Sequence, residues 1–369
     1  AVDTPLSSSD DNRREGPAHH RGGQAIAIAR SSLRFPTAYA QILVSVADAY
    51  TLPVDVLLAR YGLRLPDGWR DDPDALIDGD QFACLLHGVS EFIKQGGTSA
   101  QSMLLEAFPL TIHGYVGLAA MTASTLQQAM EIGTRYFHHV MPAFDTNFVI
   151  DGDTCVINVD PVSDFGDYNG LLAETTLCAV NSILPFSDLG YDDLTVTLQH
   201  DRLTMTGFAS FYPGVTVAMG SAHNTLAFPA AALATPLRTG NAATFGMIEA
   251  ELARRETLLT NRQTLIYRVF MIIKEDLTAG VKANAQSTAA ALHLSLRTFN
   301  RRLSEEGTSF KVIREQCRFD LAAQLLTHSN KPMVVISTEL GFANESSFSR
   351  YIKDQTGLSP MQFRKRSRP

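Results

Sequence analysis

Two segments near the C-terminal end of the chain share one plan, and they constrain the fold more than any other feature. Residues 287–303 read STAAALHLSLRTFNRRL, and residues 334–353 read VVISTELGFANESSFSRYIK. Each pattern predicts a short helix, a tight turn and a second helix that begins at a capping residue, Ser295 in the first copy and Asn344 in the second. One copy alone is weak evidence, because any three-helix bundle places apolar residues at such spacings. Two copies predict a tandem helix-turn-helix unit.

The segment between the two copies predicts a long, rigid helix. Residues 310–327 carry apolar side chains at intervals of three and four residues, which is the period of an α-helix. Sixteen helical residues span about 24 Å. With the helix packing at each end, this length is compatible with placing the two second helices in successive major grooves, about 34 Å apart.

The charge of the chain supports this interpretation once it is divided. The 369 residues carry a net charge of −7, which argues against a polyanionic partner if the charge is evenly spread. Residues 282–369 contain 14 Lys and Arg against 7 Asp and Glu, a net charge of +7. The preceding residues contain 17 basic and 31 acidic side chains, a net charge of −14. The sequence therefore predicts a basic, DNA-binding unit joined to an acidic domain.

The C-terminal segments also resemble a known family. SLRTFNRRL (295–303) and ELGFANESSFSRYIKDQTGLSPMQFRK (339–365) are similar to the DNA-binding unit of the AraC/XylS family of bacterial transcription regulators. His293 stands where glycine or another turn-tolerant residue is common in that family, and Ser337 stands where alanine is usual. The resemblance implies transcription activation, with double-stranded promoter DNA and RNA polymerase as partners and a cytoplasmic location.

The N-terminal part resembles the sensing domain of one branch of the same family. Residues 113–136 and 224–237 are similar to the arabinose-binding-like ligand domain of the ornithine and arginine regulators. Amphipathic helical segments alternate with short strand-like runs, and Asp151-Gly152 between two such runs predicts a β-hairpin. We expect a multidomain fold in which an α+β ligand or dimerisation domain precedes an all-α domain with two helix-turn-helix motifs joined by a long helix.

The expected domain organisation follows from these patterns. It comprises a disordered tail (1–29), an α+β effector or dimerisation domain (30–237), a helical linker region (238–281) and the double helix-turn-helix domain (282–369).

In the family, the second helix of each motif enters the major groove. The resemblance therefore implies two sets of DNA-contacting residues at the matching positions of this chain. Arginine and asparagine can contact guanine and adenine edges bidentately, whereas serine makes single hydrogen bonds. The candidates that face bases are Arg297, Asn300, Arg301, Ser346, Ser347 and Arg350. The candidates that contact phosphates are Ser295, Thr298, Arg302, Asn344, Lys353, Arg364 and Lys365.

The resemblance further implies a small-molecule effector and a homodimer. No residue pattern identifies the effector, and the candidate effector-binding residues are His113, Tyr115, Tyr136 and His138. A different hypothesis remains open, in which the N-terminal domain only dimerises and the regulator works without an effector.

The motifs of other protein classes are missing from the sequence. It contains no GxSxG, HExxH, Walker A or Rossmann glycine pattern, so we expect no enzyme, no catalytic residues and no cofactor. The four cysteines show no CxxC spacing, which predicts reduced thiols and no metal site. No run approaches the roughly 18 apolar residues of a membrane span, and the N-terminal residues lack the apolar region of a secretion signal.

Overall fold

The computed structural model describes residues 28–41, 54–70, 72, 75–106, 110–205, 208 and 212–367. Most of the predicted tail lies outside these residues. The described chain begins at Ile28, which is buried and whose N–H donates to the carbonyl of Val162 at 3.3 Å.

The N-terminal part contains two β-sheets. The strands are β1 (Arg34–Pro36), β2 (Leu76–Asp78), β3 (Phe144–Asp151), β4 (Thr154–Pro161), β5 (Thr195–Thr197), β6 (Thr216–Ala218) and β7 (Thr225–Pro229). β1 and β2 form an antiparallel pair, while the larger sheet has the order β3-β4-β7-β5-β6 with a parallel pairing of β5 and β6. The predicted hairpin is confirmed: Asp151 pairs with Thr154, and Gly152 adopts a φ of +59° that the turn requires.

The N-terminal part also contains α-helices, some of which pack on the larger sheet. They are α1 (Val54–Arg60), α2 (Gly79–Glu106), α3 (Gly114–Thr122), α4 (Leu126–Val140) and α5 (Asn169–Asn181). The hydroxyl of Thr125 accepts the N–H of Gln128 at 3.2 Å and so caps α4. α4 packs on β3 and α5 packs on β4, because both helices present an apolar side to the sheet.

The remaining chain is helical. Its elements are α6 (Ala242–Arg262), α7 (Leu265–Thr278), α8 (Ala285–Ala291), α9 (Leu296–Glu305), α10 (Phe310–His328), α11 (Met333–Glu339), α12 (Glu345–Thr356) and α13 (Pro360–Ser367). The expected α+β domain followed by a helical domain with two helix-turn-helix motifs is confirmed. The first motif is formed by α8 and α9, the second by α11 and α12, and the predicted long helix is α10.

The two ends of α10 belong to different apolar cores. Its first half packs with the first motif, and this core continues through α7 into the N-terminal domain; the members from the motif and α10 include Phe299, Leu303, Phe310, Ile313 and Cys317. Its second half builds a separate core with the second motif from Phe319, Ala322, Leu326, Ile336, Leu340, Phe348 and Ile352. One helix therefore fixes the position of both motifs.

Polar side chains lie where α10 meets the N-terminal domain. Lys274 of α7 forms an ion pair with Asp145 of β3. The Gln324 side-chain amide donates to an Asp160 carboxylate oxygen at 2.9 Å, and the other oxygen of Asp160 lies 2.7 Å from His223 Nδ1. Asp320 belongs to the same group, because it lines a small cavity of about 30 Å³ together with Asp145, Asp160, Lys274 and Gln324. We call this group the polar junction.

Asp320 makes the polar junction sensitive to pH. The pKa of its carboxyl is raised to about 8, chiefly by burial; the Gln316 amide, which donates at 3.1 Å, opposes the shift, and the nearby acids Asp160 and Asp145 add to it. An aspartate in an unfolded chain ionises near pH 4. Between these values the folded chain binds one proton more than the unfolded chain, so the free energy of unfolding falls as the pH rises from about 4 to 8.

We expect Asp320→Asn to remove this loss of stability. The slope that one such group contributes is at most about 1.4 kcal/mol per pH unit. The gain of the variant over the unaltered chain, measured as the urea unfolding midpoint, should therefore be larger at pH 8.5 than at pH 5. Asp354→Asn changes an exposed acid on α12 and serves as the control. Parallel pH profiles for the unaltered chain and Asp320→Asn would contradict the assignment.

Candidate DNA interface

The first motif positions α9 through its turn and its cap. His293 in the turn has a φ of +56°, a left-handed conformation that side chains with a Cβ seldom adopt. Ser295 is the N-cap of α9, as predicted, and its hydroxyl accepts the N–H of Thr298 at 3.2 Å. Phe299 and Leu303 are fully buried and fix one side of the helix against the core.

The opposite side of α9 is free to meet a ligand. Arg297, Asn300, Arg301 and Arg302 are all exposed, as the sequence predicts. The Arg301 guanidinium donates to the Glu305 carboxylate at 2.6 Å, but both side chains are more than half exposed, at 60% and 57%. Such a surface pair contributes about 0–1 kcal/mol, so it can be exchanged for contacts to a nucleic acid.

The second motif repeats this arrangement with a different turn. Gly341 has a φ of +73°, which glycine adopts without steric cost. Asn344 is the N-cap of α12, as predicted, and its side-chain oxygen accepts the N–H of Ser347 at 2.8 Å. Phe348 and Ile352 are buried. The predicted contact residues Ser346, Ser347 and Arg350 are exposed on the outer side of the helix.

Part of the positive charge has a structural role. The Arg318 guanidinium forms an ion pair with Glu315 at 3.5 Å and lies 5.0 Å from the centre of the Phe342 ring, which ties α10 to the second turn. Arg364 donates to the carbonyls of Leu326 at 3.2 Å and Lys331 at 2.7 Å. These bonds leave Arg364 with fewer free donors for a phosphate than an exposed arginine has, and its phosphate contact stays a prediction.

The outward residues provide the chemistry that duplex DNA requires. Each second helix has a capped N-terminus, which carries a partial positive charge, and exposes basic side chains. The phosphate candidates Arg302, Lys353 and Lys365 are exposed, and Thr298 is partly exposed. The 19 residues of α10 separate the two motifs by a helix of about 28 Å. The arrangement can place two helices against one face of a duplex.

The four candidate effector-binding residues do not converge. His113 is buried, its Nδ1 shares a hydrogen bond of 3.0 Å with the Tyr39 hydroxyl, and it lines an apolar cavity under α4. His138 lines a different, polar cleft between α4 and α7. Tyr115 is 39% exposed beneath the guanidinium of Arg255, and Tyr136 is fully buried.

Both candidate histidines are neutral near pH 7. Burial lowers the pKa of His113 to about 4. The pKa of His138 is lowered to about 3, chiefly by burial and further by the neighbouring His139 and Lys274. Neither side chain therefore offers a permanent charge to an anionic ligand.

Sequence reasoning missed two groups of residues that the fold brings together. One is the polar junction, whose members are far apart in the chain and carry no local signal. The other is the set of small and apolar residues around His113, for which a glycine inside the amphipathic helix α4, Gly133, is the available signal. Within the described residues, no cluster of three or more metal-ligating side chains is present. No described helix has the length and hydropathy to cross a membrane.

The comparisons with known proteins cover both parts of the chain. Residues 288–366 match a helix-turn-helix domain family, and residues 52–237 match the N-terminal arabinose-binding domain of AraC transcription regulators. An uncharacterised HTH-type transcriptional regulator of Mycobacterium tuberculosis is 26% identical over 344 residues, which is 91% of this chain and 98% of that protein.

Other comparisons extend over nearly the same length. The ornithine utilization regulator of Pseudomonas aeruginosa is 24% identical over 336 residues, covering 89% of this chain and 96% of that protein. The crystal structure of the transcriptional regulator CdpR from P. aeruginosa aligns with 89% of this chain and 98% of that chain, at 18% identity and a TM-score of 0.42.

These relatives are regulators and not enzymes, in agreement with the prediction from the missing catalytic motifs. With both domain families matched in the expected order, the chain belongs to the AraC-type DNA-binding transcriptional regulators that carry an N-terminal arabinose-binding-like domain.

Proposed function

We propose that this regulator binds promoter DNA as a homodimer through the exposed sides of α9 and α12, and that a small-molecule effector controls this binding. The observation that carries the proposal is the pair of outward, capped helices held by one long helix whose core continues into the N-terminal domain. A ligand that moves the N-terminal domain can therefore change the position of the motifs. RNA polymerase is the expected partner once the protein occupies a promoter.

We assign the DNA contacts by residue type. The base-facing residues are Arg297, Asn300, Arg301, Ser346, Ser347 and Arg350, and the phosphate-facing residues are Ser295, Thr298, Arg302, Asn344, Lys353, Arg364 and Lys365. The first motif offers two arginines and an asparagine for bidentate contacts, whereas the second offers two serines and one arginine. The first motif therefore supplies more of the direct sequence readout.

Arg301→Ala and Lys365→Ala should weaken DNA binding in different ways. An operator selected from random duplexes provides the specific site. Loss of a base contact by Arg301→Ala should cost roughly 1–3 kcal/mol on this operator and relax the preference at one base pair. Lys365→Ala should weaken binding to the operator and to random DNA alike. It should also reduce the slope of log affinity against log salt concentration by about one. Arg64→Ala, at an exposed arginine of the N-terminal domain outside α6, is the control. Unchanged operator affinity of Arg301→Ala in an anisotropy titration would refute its role.

Support for effector control comes from helix contacts that connect the N-terminal domain to the two motifs. α7 packs along α10, and α4 contacts the α6–α7 region through Arg135, whose guanidinium lies 4.0 Å from the Glu256 carboxylate. Because α4 also borders the cavity that contains His113, a ligand there acts on an element in contact with the linker helices.

The effector proposal is tested on the selected operator with the full chain. Operator affinity is measured with L-ornithine, L-arabinose, phenol and 1-hexanol, each added separately. We expect at least one of these to change the affinity threefold or more. Equal affinity in the presence of all four compounds would favour the other hypothesis, an effector-independent regulator whose N-terminal domain only dimerises.

The dimer proposal rests on two exposed apolar side chains of α6. Met247 is 76% exposed and Leu258 is 57% exposed. They are eleven positions apart in the sequence, which brings them to within about 20° of each other around the helix. Exposed apolar side chains aligned on one helix face are typical of a helix–helix interface between subunits.

We expect the double change Met247→Lys with Leu258→Lys to convert a dimer to a monomer in sedimentation equilibrium at micromolar concentration. Charged side chains at these positions would be buried without partners in the interface. Val56→Lys, at a residue that is 62% exposed on α1, is the matched control and should leave the mass unchanged. A dimer of equal strength in the double variant would exclude α6 from the interface.

A further inference from the structure

A partly open apolar cavity lies in the N-terminal domain, between the helices α3, α4 and α5 and the strands β3 and β4. Its volume is about 70 Å³, several times the roughly 15 Å³ that a single water needs. Of the fifteen residues that line it, three carry polar side-chain atoms: His113, Thr134 and Thr146. The hydroxyl of Thr134 already donates to the carbonyl of Met130 at 2.8 Å. The walls therefore favour hydrocarbon over a polar ligand.

Gly133 keeps one wall of this cavity open. It lies in the interior of α4, where alanine is more favourable than glycine. A Cβ atom built on Gly133 meets nothing within 4 Å, so close packing does not require glycine here. Gly117 on the facing helix α3 is different, because its Cβ would lie 1.7 Å from the carbonyl oxygen of Leu110. Gly117 serves close packing, whereas Gly133 leaves space.

His113 provides one polar group in this apolar setting. It is 6% exposed, and its Nδ1 is engaged by the Tyr39 hydroxyl. Its Nε2 is buried and has no hydrogen-bond partner within the described residues. An unpaired buried polar atom is costly, and a ligand with one hydrogen-bonding group could pair with it.

We infer that this cavity binds the effector, and that the effector is a small, mainly apolar molecule with one hydrogen-bonding group. A sugar does not fit these walls, because several of its hydroxyls would be buried without partners. The inference rests on the proposed effector control and adds the site and the ligand class. It also gives a route to the DNA-binding domain. Met130, Gly133 and Phe137 line the cavity, and His138 of the same helix accepts a hydrogen bond of 3.4 Å from the hydroxyl of Tyr267 on α7 through its carbonyl.

Gly133→Leu provides a selective test, because a leucine there would occupy the cavity while favouring the helix. Gly246→Leu is the matched control, since Gly246 is an exposed glycine in α6 whose Cβ position is also open. Phenol, toluene and L-arabinose are titrated calorimetrically into the full chain and into both variants. Thermal unfolding without ligand checks that Gly133→Leu is folded, and we expect its midpoint to be equal to or above that of the unaltered chain.

We expect saturable binding of phenol to the unaltered chain and to Gly246→Leu, weaker binding of toluene, and no binding of L-arabinose. Binding of phenol should fall at least tenfold in Gly133→Leu. Equal binding of phenol by Gly133→Leu and the unaltered chain, or no binding of phenol and toluene to the unaltered chain, would overturn the site.

Operator titrations with the same variants separate this inference from the proposed effector control. If phenol binds in a Gly133-dependent manner but leaves operator affinity unchanged, the cavity is a ligand site and effector control through it is refuted. If a compound still changes the operator affinity of Gly133→Leu as it does that of the unaltered chain, effector control stands and this cavity is not its site.

Discussion

The packing of α10 along α7 is the contact on which both halves of the protein depend. The first half of α10 buries Phe310, Ile313 and Cys317 in a core that continues through α7 into the N-terminal domain, and the thiol of Cys317 lies 3.8 Å from the carbonyl of Phe270. The second half of α10 belongs to the core of the second motif. Because an α-helix is stiff over this length, a change in how α10 rests on α7 moves both motifs as a unit and cannot alter one without the other.

The polar junction makes the contact of α7 and α10 with the larger sheet specific rather than strong. The Lys274–Asp145 pair and the bonds that join Gln324, Asp160 and His223 take charged and polar groups out of water, which costs much of what their attraction returns. An apolar contact would tolerate small shifts of α7 and α10 along the sheet, whereas hydrogen bonds hold only at one alignment. The junction therefore defines one position of α7 and α10, and with them of the two motifs, on the N-terminal domain.

Sequence patterns predict the features that depend on neighbours along the chain. The caps Ser295 and Asn344 act on N–H groups three residues away, so their spacing alone reveals them. The family pattern indicates a turn-tolerant residue at position 293, but the φ of +56° that His293 adopts depends on how α8 and α9 pack. Contacts between distant residues leave no such trace: Asp145 and Lys274 are 129 positions apart, and nothing in either segment points to the other. Gly133 signals only that a side chain is missing at one position of α4; the shape of the open space beside it is defined by three helices and two strands at once.

The division of charge determines how the net charge of the chain should be interpreted. At physiological ionic strength the Debye length is about 8 Å, so acidic side chains of the N-terminal domain act on DNA only where they come that close to it. The 31 acidic residues before residue 282 therefore do not cancel the field of Arg297, Arg302 or Arg350 at the outer sides of α9 and α12. The salt dependence of binding is set by the number of phosphates these faces contact, and not by the −7 of the whole chain. A negative total excludes a nucleic acid partner only for a protein whose charges are mixed over one surface, and this chain keeps them on separate units.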